Sequence, residues 1–157
     1  MLTAQIHKGS ELSLYMDIGT NGEMVLGNNE FMIRVAGEAG TALEGGISKQ
    51  GMRASRGAVD SVRIVNNEMI ITTIQNAKPI GICGSGIVDL LAEMLLEGWI
   101  DYSDRFVPGR SERIVLREGE YVVIYAWENE SGSSEELLFS QTDILSFMDT
   151  KAAANTK

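Results

Sequence analysis

Apolar residues recur at two spacings along the chain, and the spacings divide it into strand-like and helical stretches. "SLYMDI" (13–18), "GEMVLGN" (22–28) and "FMIRVAG" (31–37) are short apolar or alternating runs, as half-buried strands require. Thr20-Asn21-Gly22 and Asn28-Asn29-Glu30 separate them, so the pattern predicts a three-stranded antiparallel meander. "EAGTALEGGISKQGMRASRGAVD" (38–60) is dense in glycine and has no sustained period; it reads as a short helical turn followed by a loop. "SVRIV" and "EMIITTI" flank Asn66-Asn67 in the manner of a hairpin, and "PIGIC" (79–83) is a further strand, since Asn-rich dipeptides suit tight turns between strands. Ile87, Leu90, Leu91, Met94 and Leu95 then share one helical face from Gly86 to about Gly98, where glycine ends the pattern. Glu93 falls on the side expected to be exposed.

Past this helix, "RIVLR" and "YVVIYAW" are joined around Glu118-Gly119 and predict a surface hairpin, with "ENESGSSEE" (128–136) as a polar loop. In "SQTDILSFMDTKAAANTK" Ser140 and Asp143 have the spacing of a capping box, and Ile144, Phe147 and Met148 share a face, so a helix closes the sequence. Its pattern runs straight into the last residue, an expectation that the chain is a piece of something longer.

Composition narrows the class. A length of 157 residues suits a single domain, residues 1–157, with 1–12 expected to be poorly ordered. The 44% apolar and 22% charged content excludes disordered and collagen-like chains, which lack the apolar residues for a core. A net charge of −9 opposes attraction to polyphosphate backbones, so nucleic acid is not the expected partner. "IVDLLAEMLLEGWI" is interrupted by acids, and "MLTAQIHKGSEL" lacks the apolar core of a signal peptide, which predicts a cytoplasmic chain without a membrane span. Cys83 is the only cysteine and His7 the only histidine. A disulfide framework, a zinc site or a cysteine-ligated iron–sulfur cluster cannot be assembled from such a set. A metal here must be a hard ion held by oxygen.

Two stretches carry candidate chemistry. In "MDIGTNGEMVLGN" (16–28), Asp17 stands at the exit of the first strand; if that strand is buried, its carboxylate needs hydrogen bonds or a cation reached through water. Gly19 and Gly22 let backbone amides approach an anion, while Thr20 and Asn21 add side-chain donors, so strand, acid and turn could form a phosphate and magnesium clasp. The same residues also fit a plain hairpin turn in which Asp17 accepts turn amides. In "GICGSGIVDLL" (81–91), Gly84, Ser85 and Gly86 lead from a strand into the helix and offer an anion the positive end of the helix dipole. The other reading is that the glycines allow tight helix-on-strand packing and Ser85 caps the helix. Cys83 beside them is either a thiol of lowered pKa or a small buried apolar residue.

Taken in order, "LYMDIGTNGEMVLGN", "AGTALEGGISKQGMRA", "GICGSGIVDLLAEMLLEGWID" and "FSQTDI" resemble the ATPase region of the reductive activators of corrinoid-dependent enzymes. Those proteins are members of the acetate kinase, sugar kinase, heat-shock chaperone and actin superfamily. The resemblance extends from about Ser13 to Asn155. It implies an α+β, ribonuclease-H-like ATPase lobe in which this chain is a partial second lobe with an inserted hairpin region. It further implies that "DIGTNGE" is the second phosphate-binding motif, with Asp17 orienting magnesium-bound water and Gly19, Thr20, Asn21 and Gly22 at the phosphates. Glu23 also matches the motif.

By the same resemblance the cofactors are ATP and magnesium, and the partner is a corrinoid protein or corrinoid-dependent methyltransferase, with a homodimer allowed. Such activators couple ATP hydrolysis to the one-electron reduction of cob(II)amide to cob(I)amide. Members of the family carry an iron–sulfur region, a first lobe with its own phosphate motif, and a later glycine-rich adenosine motif. None of the three is found in this sequence, so half a clasp, not competent by itself as an ATPase, is the expectation. An interaction module with a vestigial phosphate loop and a lobe of a small-molecule kinase remain as alternatives.

Overall fold

Strand alternation over the first part of the chain folds as its pattern anticipates. The computed structural model describes residues 5–17, 23–36 and 46–155, without the side chains of Ala36 and 151–155, in two compact units, Met1–Ala42 and Leu43–Lys157. In the first unit, β1 (Ser13–Asp17), β2 (Glu23–Gly27) and β3 (Met32–Ala36) form an antiparallel sheet in that order. Asn28 builds the second turn: its Oδ1 accepts the backbone N–H groups of Glu30 at 2.9 Å and Phe31 at 3.2 Å, the local bonding that suits asparagine to turns. Gly27 is required there, because a Cβ would collide with the Phe31 carbonyl and lie 2.8 Å from Met32 Cα. Residues 5–12 run past this turn, where the Gly9 carbonyl accepts Asn29 N–H at 2.8 Å.

Register sorts the side chains onto two faces. Leu14, Leu26 and Ile33 lie side by side across the strands, and so do Met16, Met24 and Val35. The opposite face holds Tyr15, Asp17, Glu23, Val25 and Arg34. Val25 is buried, whereas Leu14, Met16 and Asp17 are exposed. The supposition of a buried first strand is therefore corrected, and Asp17 bears no large desolvation cost.

The second unit starts from the glycine-dense stretch. None of residues 46–57 is helical, and the expected helical turn before them lies outside the described residues. Gln50 to Met52 instead follow β6 (Gly81–Ile82): Ile82 N–H donates to the Gln50 carbonyl at 3.0 Å and Met52 N–H to the Ile82 carbonyl at 2.9 Å. β6 in turn pairs in parallel with β4 (Ala58–Val65), whose other edge carries the antiparallel β5 (Glu68–Thr73). Asn66 and Asn67, with φ of 53° and 68°, make the hairpin turn, because asparagine tolerates the left-handed backbone that a two-residue turn demands.

α1 (Gly84–Leu96) packs on β4. Ile87, Leu90, Leu91 and Met94 join Val59, Val62 and Ile64 in the core. Two expectations change here. Leu95 is 41% exposed, off the buried stripe, and Glu93 is engaged with β4. Because β6 is only two residues long, the later amides of β4 have no strand beside them, and α1 supplies acceptors instead. Asp89 Oδ2 accepts Ser61 Oγ–H at 2.7 Å and Val62 N–H at 3.3 Å, and Glu93 Oε2 accepts Ile64 N–H at 2.8 Å. These carboxylates stand four residues apart, one turn along the same face of the helix.

β7 (Ile114–Arg117), β8 (Glu120–Ala126) and β9 (Leu137–Ser140) form a third antiparallel sheet. The expected surface hairpin is corrected on this point: β9 adds a strand, and Val122 to Ala126 are all buried. α2 (Gln141–Asn155) follows directly. Its capping box forms as expected, with Asp143 N–H donating to Ser140 Oγ at 3.1 Å and Ser140 N–H to Asp143 Oδ2 at 2.8 Å. Ile144 and Phe147 are buried, and Met148 packs against the same core.

Candidate functional site

β1 and β2 converge on the first candidate site. Asp17 ends β1 and is paired in register with Glu23, the first residue of β2. Gly19, Thr20, Asn21 and Gly22 lie outside the described residues, between these two carboxylates in the chain. Cross-strand like charges repel, and Arg34 supplies a balancing charge, its Nη2 standing 4.0 Å from Glu23 Oε1. Arg34 arises from the alternation of β3, which sends it to the Asp17 and Glu23 face. The facing ends of β1 and β2 thus offer carboxylate oxygens, exposed at Asp17 and half-buried at Glu23, hard donors of the kind that hold magnesium directly or through water. No cluster of three or more potential metal-binding side chains occurs among the described residues.

The second candidate lies in the other unit, at the start of α1. Cys83 occupies the N-cap position without a side-chain capping bond. Ser85 does not cap the helix either: its Oγ–H donates to the Asp60 carbonyl at 2.9 Å. Cys83 is 3% exposed, with Sγ 3.3 Å from the Val59 carbonyl, so its reading as a small buried residue holds. Gly86 is a contact residue. A Cβ there would collide with the Val59 carbonyl and come within 2.8 Å of Ile82 Cγ1, so the absence of a side chain lets α1 lie close on β4. Gly84 is half-buried and Ser85 exposed, leaving this end of the helix open on one side.

Sequence reasoning passed over a third feature. Glu120, Val122 and Leu138 from the outer face of the β7–β8–β9 sheet line a cavity of about 300 Å³ together with Lys49, Arg117 and Asp143. Burial pushes the Asp143 carboxyl above its ordinary range; hydrogen bonds from Ser140 and Ser48 oppose that shift and the charge of Glu120 adds to it. The capping-box spacing signalled Asp143, but its burial depends on residues distant in sequence and left no local mark.

This α+β architecture, with an antiparallel meander whose first two strands flank the sequence "IGTNG", is that of a ribonuclease-H-like lobe of the acetate kinase, sugar kinase, heat-shock chaperone and actin superfamily. Residues 11–157 match the family described as the C-terminal domain of RACo, the ASKHA domain. The chain belongs to that family. It is similar to a "Corrinoid activation enzyme RamQ" of Eubacterium limosum, with 31% identity over 95% of this chain and 26% of the relative. A solved structure, "Reductive activator for corrinoid,iron-sulfur protein", superposes with a TM-score of 0.81 at 39% identity over 97% of this chain and 25% of its own length. The chain therefore spans about a quarter of the length of these relatives. No helix among the described residues is long and apolar enough to cross a membrane.

Proposed function

We propose that this chain contributes the second phosphate-binding motif of an ATP-dependent reductive activator of a corrinoid protein, as part of the second lobe of its two-lobed ATPase. The observation that carries the reading is Asp17, exposed at the end of β1 and opposite Glu23, immediately before the sequence "IGTNG". Thr20 and Asn21, with the amides at Gly19 and Gly22, donate to phosphate oxygens in this reading. Gly84, Ser85 and the buried Gly86 form a second, weaker anion contact at the start of α1. Asp17 would hold magnesium through water, and that ion would neutralise charge developing on the phosphates. Hydrolysis would break the bond between the terminal phosphorus and its bridging oxygen as the oxygen of water bonds to that phosphorus, releasing ADP, phosphate and a proton.

Electrons have to come from elsewhere in the assembly. An iron–sulfur cluster takes four cysteine thiolates, and the chain has one cysteine, which is buried. Both named relatives act on corrinoid systems, which favours this reading over a small-molecule kinase lobe. A soluble, cytoplasmic setting agrees with it.

The test is a chimera in which this chain replaces the corresponding quarter of RamQ. Asp17→Asn should lower ATP turnover by about 10²-fold or more, the scale of losing one electrostatic contact to a transition state, with the melting midpoint unchanged. Undiminished turnover in a folded variant would refute the assignment.

A further inference from the structure

We propose that the cavity lined by Lys49 and by the β7–β8–β9 sheet binds a small zwitterion, a free α-amino acid with an aliphatic side chain. Its described lining residues all belong to the second compact unit. Val122 and Ser140 are partners across β8 and β9, and Leu138, two residues before Ser140, lies on the same face of the sheet, because side chains alternate along a strand. Val122 and Leu138 give the cavity an apolar floor. Glu120 precedes Val122 by two residues and shares that face, and Asp143 comes to it from the first turn of α2. A volume of about 300 Å³ is at the small end of ligand sites, so it suits one amino acid and not a nucleotide.

Uncommitted charge chooses the ligand. Glu120 Oε2 accepts the N–H and Oγ–H of Thr142 at 3.1 and 2.8 Å, and Asp143 Oδ2 accepts Ser140 N–H at 2.8 Å, yet neither carboxyl has an ion pair among the described residues. The charge of Glu120 raises the pKa of Asp143, so the two acids oppose each other across the same cavity. Arg117 stands opposite Glu120 in the register of β7 and β8 but is held by Glu136 at 3.2 Å. The amide of Gln50 is spent on Glu136 and Leu138. Lys49 is left as a cation without an ion pair among the described residues. A half-buried acid pair gains most from an ammonium group, because desolvated charge is stabilised by an opposite charge placed beside it. A ligand carboxylate answers Lys49, and an aliphatic side chain covers Val122 and Leu138. A simple anion would meet the repulsion of Glu120 and Asp143, and a simple amine would leave Lys49 unmatched.

Leucine and its two halves test the proposal on the chain itself. Titrated with leucine, the methyl resonances of Val122 and Leu138 should shift and saturate, with a Kd of about 1 mM or tighter by calorimetry. Isopentylamine, which lacks the carboxylate, and 4-methylpentanoate, which lacks the ammonium, should each bind about tenfold or more weakly, the scale of losing one charged hydrogen bond. Glu120→Gln keeps an oxygen for Thr142 and removes the charge; it should weaken leucine about tenfold and leave 4-methylpentanoate no weaker. Lys49→Met, at an exposed position, should weaken leucine and spare isopentylamine, and it decides the matter if Glu120→Gln melts early. Methyl resonances that stay in place at about 10 mM leucine would overturn the proposal. Isopentylamine binding as tightly as leucine would make the cavity a cation site, and 4-methylpentanoate doing so would make it an anion site; either result refutes the zwitterion.

Discussion

The side chain of Gln50 meets the backbone of Leu138 as a neighbouring strand would. Its Oε1 accepts Leu138 N–H at 2.6 Å while its Nε2 donates to the Glu136 carbonyl at 2.9 Å. One amide therefore completes the free edge of β9, and through its own backbone carbonyl Gln50 also holds β6. A glycine-dense loop becomes a strap between two sheets. Gln50→Ala should destabilise the protein by about 1–3 kcal/mol, the cost of leaving half-buried backbone groups without partners. Gln50→Glu, which keeps the acceptor and loses the donor, should fall between. Urea melts measure both, with exposed Lys49→Ala as the control; equal midpoints for all three variants would show that the strap carries no load.

On α1 the same logic sets apolar and polar contacts side by side. Leu91→Ala should cost about 2–5 kcal/mol, as a buried leucine truncated in a packed core does. Glu93→Ala should cost about 1–3 kcal/mol by stranding Ile64 N–H. Glu93 also binds Arg63 at 3.0 Å, but Arg63 is exposed, so that ion pair adds little. A silent Glu93→Ala in denaturant melts would show that water replaces the carboxylate on β4.

How far the sequence revealed these features follows from where their causes lie. The meander, the Asn66-Asn67 hairpin, α1 and the capping box of α2 were legible because each is fixed by residues within a few positions of one another. Gln50, Asp89 and Glu93 were not legible, since a carboxylate or amide that replaces a missing strand looks like any surface polar residue until its distant partner is known. β9 was missed for a related reason: "LLFS" is short, and it becomes a strand by pairing with β8. At the candidate site, Asp17 and Glu23 were legible as a motif, whereas their register pairing and the approach of Arg34 required the sheet.

Asp143 makes stability depend on pH in a defined direction. Its folded-state pKa lies above the ordinary 3.8, chiefly through burial, so the folded protein binds this proton more tightly than the unfolded chain. The stabilisation from this group is complete below 3.8 and is lost as pH rises through the folded value. Asp143→Asn removes the titration while keeping a side-chain oxygen for the Ser140 amide. The stability of the native protein relative to this variant should therefore decline as pH rises across that window. A difference that stays constant, or that grows in favour of the native protein, would mean that hydrogen bonds from Ser140 and Ser48 outweigh burial.

Nucleotide binding by the isolated chain distinguishes half a clasp from a whole site. Asp17 is exposed at the end of β1, so water competes for its oxygens and for any phosphate donors beside it. Phosphate contacts beside Asp17 and at the start of α1 do not hold the base and ribose of ATP, so affinity must come from the phosphates and magnesium alone. Calorimetry should therefore show magnesium-dependent binding of ATP much weaker than 1 μM, a level that requires about −8 kcal/mol. ADP, with one phosphate fewer, should bind more weakly still. Asp17→Asn should remove the dependence on magnesium, and Gly86→Ala should reduce stability because of its contact with Val59. Binding tighter than about 1 μM would show that these residues close a complete nucleotide site by themselves, and the two-lobed reading would fall.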